Sequence, residues 1–211
     1  MSSFLEHTRS LPASYVPEIA LHQADDAIAL WERTEEAAGG ARLAPPFWAF
    51  AWAGGQAVAR YLLDHADLVA GRSVLDLAAG GGIVAIAAAR AGAARVVATE
   101  IDPTAVEILR VNAMSNGVSV EALLGDVLDD TTLAADVVTA GDVFYSREMA
   151  RRMLAFLDRA AARGSLVLVG DPGRAYLPRE RFTAVAEYPV PTTLALEDAE
   201  VKATTVWRLT P

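Results

Sequence analysis

The chain of 211 residues has no cysteine. That excludes disulfides, a thiolate nucleophile and any zinc site built on thiolates. Histidine is nearly as scarce: His7, His22 and His65 stand far apart, so no metal centre is expected. The start, Met1-Ser2-Ser3-Phe4-Leu5-Glu6-His7, lacks a basic stretch followed by an apolar run, and no secretory signal is read there. Nor is any apolar run long enough, and free enough of charge, to span a bilayer. A cytoplasmic location is the resulting expectation. Positive charge is also in deficit, 27 acidic against 18 basic residues, for a formal net charge of −9. That balance argues against nucleic acid or an anionic membrane as partner. It suits a small molecule or a basic patch on another protein.

What the chain does have is apolar bulk, 53% hydrophobic residues rich in Ala, Val and Leu, as expected where helices cover a mostly parallel sheet. The length suits one domain over 1–211, read as an arm over 1–44 and a core over 45–211. In the arm, Glu18-Ile19-Ala20-Leu21-His22 alternates like a short strand. Asp25 or Asp26 is placed to cap a helix running through Ile28, Leu30 and Trp31 to a Gly39-Gly40 stop. An aromatic stretch, Pro45 to Gly55, ends in two glycines, and a helix is expected from about Gln56 to His65.

The core is organised around Ser73-Val74-Leu75-Asp76-Leu77-Ala78-Ala79-Gly80-Gly81-Gly82, a short buried strand running into a glycine-rich turn. An alanine-rich helix follows from about Ile83 to Ala91. Strand and helix then alternate: strands at Arg95–Thr99, about Val118–Leu124, Asp136–Ala140 and Leu166–Val169, with helices after Pro103 and through Met149, Met153, Leu154 and Leu157. Two extended segments, about Arg181–Val190 and Val201–Leu209, close the chain as an antiparallel pair. The expected fold is α/β: a Rossmann-like, doubly wound, seven-stranded sheet, mostly parallel, with a C-terminal antiparallel hairpin and an N-terminal arm.

A strand, a glycine turn and a helix N-terminus together make a nucleotide site, because glycine lets a ligand approach the backbone and the free helix N–H groups face it. Four acids, Asp76, Glu100, Asp126 and Asp142, each follow a strand, on the sheet edge where such folds bind ligands. Singly, each has an ordinary explanation as a turn or cap residue. Four after consecutive strands are harder to explain that way, and Asp76 and Glu100, at the ends of the first two, disfavour a pyrophosphate and favour a ligand with ammonium, sulfonium or ribose hydroxyls. S-adenosylmethionine carries all three. The rival is a dinucleotide oxidoreductase, since Gly80-Gly81-Gly82-Ile83-Val84-Ala85 fits G-x-G-x-x-G/A and Glu100 stands near the ribose position. Asp76 before the first glycine, the long stretch ahead of the fingerprint strand and the terminal hairpin count against it.

The motif Asp76 to Gly82 resembles the first motif of seven-strand S-adenosylmethionine-dependent methyltransferases. Pro46-Phe47-Trp48-Ala49-Phe50-Ala51-Trp52-Ala53-Gly54-Gly55-Gln56, Glu100-Ile101-Asp102-Pro103, Gly141-Asp142-Val143-Phe144-Tyr145, Gly170-Asp171-Pro172-Gly173-Arg174 and Thr204-Thr205-Val206-Trp207 are similar to one branch of them. That branch is the lysine methyltransferases of the electron transfer flavoprotein β subunit. The resemblance spans about 17–208; it departs at Ala53, where the family commonly has proline. It implies S-adenosylmethionine as cofactor and a protein partner with a basic, lysine-bearing loop. For the residues it implies that Asp76, Ala78, Gly80 and Gly82 hold the methionine moiety. Glu100 would then take the ribose, Asp126 lie by the adenine amine and Trp52 pack beside the cofactor. Asp142 and Tyr145 become the catalytic pair lining the lysine channel. A small-molecule N-methyltransferase is the nearest alternative, an open groove favouring a protein acceptor and a closed lid a metabolite. A cofactor-binding module without catalysis is a further one.

Overall fold

The computed structural model describes residues 6–37, 39–40, 42, 45–193 and 197–210. The expected end of the arm at Ala44 and the first residues, Met1–Leu5, lie outside the described residues. In chain order the strands are β1 (Arg9–Pro12), β2 (Ala20–Gln23), β3 (Ser73–Leu77), β4 (Arg95–Glu100), β5 (Glu121–Leu124), β6 (Val137–Gly141), β7 (Leu166–Asp171), β8 (Phe182–Pro191) and β9 (Val201–Leu209). The helices are α1 (Ala27–Ala37), α2 (Ala53–Asp64), α3 (Ile83–Arg90), α4 (Pro103–Ser115) and α5 (Arg147–Ala162). Among the described residues no helix is long and apolar enough to cross a membrane.

The main sheet has seven strands in the order β5-β4-β3-β6-β7-β9-β8. Strands β3 to β7 pair in parallel, and β9 runs antiparallel to both β7 and β8. After β5 the chain jumps back to lay β6 beside β3. The crevice between the carboxyl ends of β3 and β6 is therefore the switch point where open α/β sheets bind ligands. One face of the sheet is covered by α2, α3 and α4, the other by α5, whose Met153, Phe156, Leu157 and Ala160 are buried against Leu75, Leu77 and Val169.

Helix boundaries follow local chemistry. Asp102 caps α4 by accepting from the Thr104 N–H at 2.8 Å, with Pro103 at the first position. Ser146 caps α5 through the Met149 N–H. In the arm, Asp26 accepts from the Ala29 N–H at 3.0 Å and opens α1; Leu30 is buried and Trp31 half-buried. The side chain of Ile28 lies outside the described set. The Val118 N–H is taken by the Ala113 carbonyl as α4 closes, so β5 begins only at Glu121, three residues later than the sequence suggests.

Two features were not expected. The first is β1, which pairs antiparallel with β2 from Arg9↔Gln23 to Pro12↔Ala20. Its four residues, Arg-Ser-Leu-Pro, show no legible alternation. The hairpin is fixed to the core: Asn112 Oδ1 accepts from His22 N–H at 2.9 Å and Asn116 Oδ1 from Ala20 N–H at 3.1 Å. Gln56 Oε1 accepts from Tyr15 N–H at 2.8 Å. Ala13, Val16, Ile19 and Leu21 join the same apolar cluster as α2 and α3. The second is the start of α2 at Ala53. Gly54 and Gly55 do not end a segment; they form the first turn of this helix, which lies backbone to backbone on the sheet. A Cβ on Gly54 would come within 2.3 Å of the Gly170 carbonyl oxygen, and one on Gly141 within 2.7 Å of Gly55 Cα.

Candidate active site

Strand β3 carries Asp76 to the switch point, where its carboxyl is buried, with 1% of the residue exposed. Oδ1 accepts from Thr139 Oγ1 at 2.9 Å, and Oδ2 from the Ala85 N–H in the first turn of α3 at 3.2 Å. Burial pushes this carboxyl up to about 7; the Thr139 and Ala85 hydrogen bonds pull it down and Glu100 pushes it further up. Among the described residues no cation pairs with it. A buried acid without a counter-charge fits a ligand that brings a positive charge.

Beyond Asp76 the chain turns through left-handed backbone at Ala78 (φ +52°), Gly80 (φ +53°) and Gly82 (φ +86°). Ala78 is the strained member, since an L side chain rarely adopts this region. Glu100, at the end of β4, accepts from Gly80 N–H at 3.0 Å through Oε2 and from Ile101 N–H at 2.7 Å through Oε1. Asn112 holds the other side of the turn, its Nδ2 donating to the Gly81 carbonyl at 2.8 Å. Asp76, Ala78 and Gly80 line one cleft together with Leu21, Phe50, Trp52 and Gly141. Gly82 stands at the N-cap of α3, where a Cβ would come within 2.8 Å of Leu109 Cγ; packing on α4 demands this glycine.

Asp126 is apart from this group. Its two oxygens accept from Arg152 of α5 at 2.7 and 3.1 Å, and Oδ1 also accepts from Leu128 N–H. Arg152 holds the carboxyl below its ordinary range. Of the expected site residues, Trp52, Asp76, Ala78 and Gly80 line the cleft, and Gly82, Glu100, Asp126, Asp142 and Tyr145 are not among its lining residues.

The second half of the site is built where α2 meets β6 and β7. Trp52 immediately precedes α2 and offers it no side-chain cap. A remote side chain does so instead: Asp142 Oδ2 accepts from Gly54 N–H at 2.5 Å. Asp142 has φ +56°, and its N–H donates to the Gly170 carbonyl at 2.9 Å. Oδ1 accepts from Arg174 Nη2 at 2.6 Å and Nε at 3.1 Å. Burial pushes the Asp142 carboxyl up to about 6, against the pull of Arg174 and the Gly54 N–H, while Asp171 adds to the push. Tyr145, three residues on, is 56% exposed, and its ring lies 6.3 Å from that of Phe47, itself 50% exposed. Burial and the charge of Glu100 raise the Tyr145 phenol above its usual value. Trp52 stands edge-on to Phe47 and Phe50, with ring centroids at 5.9 and 6.3 Å. The cleft lined by Asp76 and Trp52 thus opens beside an aromatic rim.

Sequence reasoning gave no role to Thr139, Arg174 or Glu197. Thr139 was findable, as a polar residue inside the apolar run of β6. Arg174 belongs to the Gly170–Arg174 segment noted above. Glu197 carries no local signal.

Residues 59–145 match the family model of ribosomal protein L11 methyltransferase (PrmA). The electron transfer flavoprotein beta subunit lysine methyltransferase of Rattus norvegicus is 33% identical over 223 residues, covering all of this chain and 85% of the relative. Its human counterpart is 34% identical, covering all of this chain and 82% of that protein. The chain belongs to the electron transfer flavoprotein β subunit lysine methyltransferase family. It is an S-adenosylmethionine-dependent methyltransferase, which sets aside the dinucleotide oxidoreductase. An RNA methyltransferase from Salinibacter ruber, solved with S-adenosyl-L-homocysteine, superposes with a TM-score of 0.53 at 26% identity, over 73% of this chain and 90% of that one. Asp76 is the one acid among the residues that line the cleft, and among the described residues no cation pairs with it, which suits a donor that carries positive charge.

Proposed function

We propose that the protein methylates a lysine side chain of a partner protein, the β subunit of electron transfer flavoprotein. The observation that carries this reading is likeness along the whole chain to relatives named for that reaction. The half-exposed rim of Phe47 and Tyr145 supports it, since an open mouth suits a protein acceptor better than an enclosed metabolite. The net charge of −9 suits an acceptor loop that is basic.

When bound, S-adenosylmethionine supplies a methyl on sulfonium that leaves as the electrophile, its bonding pair staying on sulfur. Asp76 would face the donor's positive charge, which favours its ionised form. Glu100 accepts from the ribose hydroxyls while holding Gly80 in place. Ala78 and Gly80 present backbone to the methionine moiety, and Trp52 walls the cleft on the acceptor side. Gly82 acts one step removed, by seating α3. Asp126, already paired with Arg152, would serve the adenine amine only by sharing an oxygen.

Asp142 receives the lysine ammonium and orients the amine for in-line attack, and Tyr145 shapes its path. The amine attacks as the neutral base although its free pKa is about 10.4. Desolvation beside a sulfonium opposes its charge and favours loss of the proton to water before the methyl is transferred. Catalysis is then positioning and electrostatics, with no covalent intermediate.

Incubation with labelled S-adenosylmethionine and the electron transfer flavoprotein β subunit is expected to label that subunit. Label in a small amine from a cell extract, with none in protein, moves the assignment to a small-molecule N-methyltransferase. Asp142→Asn is expected to keep donor affinity within about threefold and to lower kcat by about a hundredfold or more. Full turnover by a folded Asp142→Asn overturns the role given to that carboxylate. Glu100→Ala is expected to weaken donor binding by at least about tenfold, through both the ribose contact and the loosened turn. Calorimetric titration with S-adenosylmethionine checks it.

A further inference from the structure

Arg174 joins three separate parts of the chain around Asp142. Its Nε and Nη2 donate to Asp142 Oδ1 at 3.1 and 2.6 Å. Its Nη1 and Nη2 donate to Glu197 Oε2 and Oε1, in the β8–β9 connection, at 3.0 and 2.5 Å. The guanidinium carbon lies 5.9 Å from the centre of the Trp52 ring. The loop that aims it is itself built: Asp171 Oδ1 accepts from Gly173 N–H and Arg174 N–H, both at 2.7 Å.

A carboxylate offers about four lone-pair sites. Arg174 fills two on Oδ1 and Gly54 N–H one on Oδ2, which leaves one on Oδ2. A planar fork on one oxygen and a helix terminus on the other fix both the plane and the rotation of the group. We propose that Arg174 is a positioning residue for methyl transfer, fixing the charge and orientation of Asp142 so that the remaining lone pair of Oδ2 is presented to the acceptor amine. This inference rests on the role proposed for Asp142 in the reaction.

The charges around Asp142 give the sign of each test. Arg174, from the loop after β7, and the N-terminus of α2, through Gly54, both favour the anion. Burial and Asp171, at the end of β7, oppose it. Glu197 competes for the same guanidinium, and Lys202 of β9 lies 3.9 Å from Glu197. Without Arg174, burial and Asp171 are opposed by the helix end alone, and Asp142 holds its proton to higher pH. Without the Glu197 charge, Arg174 serves Asp142 undivided and the proton leaves at lower pH.

The test follows the Asp142 carboxyl carbon by NMR in the full chain labelled with 13C-aspartate, the signal being identified by its loss in Asp142→Asn. In Arg174→Gln the titration midpoint is expected to rise by at least about one pH unit, and in Arg174→Lys by less, because the charge is kept and the fork lost. In Glu197→Gln it is expected to fall. Turnover with S-adenosylmethionine and the electron transfer flavoprotein β subunit is expected to show an acid limb that moves with these midpoints, with donor affinity unchanged within about threefold. A folded Arg174→Gln with an unmoved midpoint, or with unchanged kcat and acid limb, overturns the proposal. If Arg174→Gln does not fold, Arg174→Lys and Glu197→Gln decide: opposite shifts support the proposal, and shifts of one sign or none overturn it. Midpoints that move as expected, alongside full turnover by Asp142→Asn, overturn instead the reaction role of Asp142 on which the proposal rests.

Discussion

Asp76→Asn is expected to raise the dissociation constant for S-adenosylmethionine by at least about a hundredfold while leaving the protein as stable as the parent at pH 8, or more so. The amide keeps the shape of the carboxyl and accepts from Ala85 N–H as before, but brings no charge to a cationic ligand. The stability half follows from the titration. In the folded chain burial holds this carboxyl at about 7, against 3.8 ordinarily. Between those values the unfolded chain has released a proton that the folded chain keeps, so stability falls as pH rises and levels off above about 7. The amide removes that contribution. Parallel calorimetry and urea melts from pH 5 to pH 8, flanking the value of about 7, test both halves. Unchanged affinity in a folded Asp76→Asn would remove the donor from this crevice. The same titration gives donor affinity a slope in the parent, with tighter binding as pH rises through about 7, because below it binding must expel a proton.

Gly170→Ala carries the largest expected loss of stability. An added Cβ would lie 2.0 Å from the Gly54 carbonyl oxygen and 2.7 Å from its carbonyl carbon. Those are backbone atoms in the first turn of α2 and cannot swing aside. The helix as a whole must lift, and with it Ala53, Ala57, Val58 and Leu62, all fully buried. The cost is expected to reach about 3 kcal/mol, or a fall of roughly 6–12 °C in Tm for a chain of this size. Gly71→Ala is the control. Its φ of +73° is strained for alanine, but no atom lies within 4 Å of the added Cβ. A smaller loss of about 1–2 kcal/mol is expected there. A Tm for Gly170→Ala within about 2 °C of the parent would show that α2 is not pinned as described.

The parallel part of the fold was legible because each strand is a compact apolar run ending in a turn residue, and α4 and α5 carry their own caps. Asp76, Ala78, Gly80 and Trp52 were legible as neighbours because the motif that names most of them is continuous along the chain. Other parts were decided by contacts across the sequence. Gly54 and Gly55 look like a stop until the backbone of β7 arrives beside them. Asp126 looks like Glu100, a lone acid after a strand, until Arg152 arrives from α5, 26 residues later. The oxygens of Asp142 look free until Arg174, 32 residues on, and Gly54, 88 residues back, fill three of their places. Periodicity along the chain records none of these pairings, since the hydrogen-bonded partners stand 26 to 88 residues apart in sequence.

Asn112 takes the His22 N–H on one side and gives its own amide hydrogen to Gly81 on the other, and Leu21, next to His22, lines the cleft with Asp76. The leading hairpin is therefore a wall of the cleft beside Asp76 and not an appendage to it. Trimming the chain to begin at the aromatic segment would unroof that cleft, even with every residue from Asp76 to Asp142 left in place.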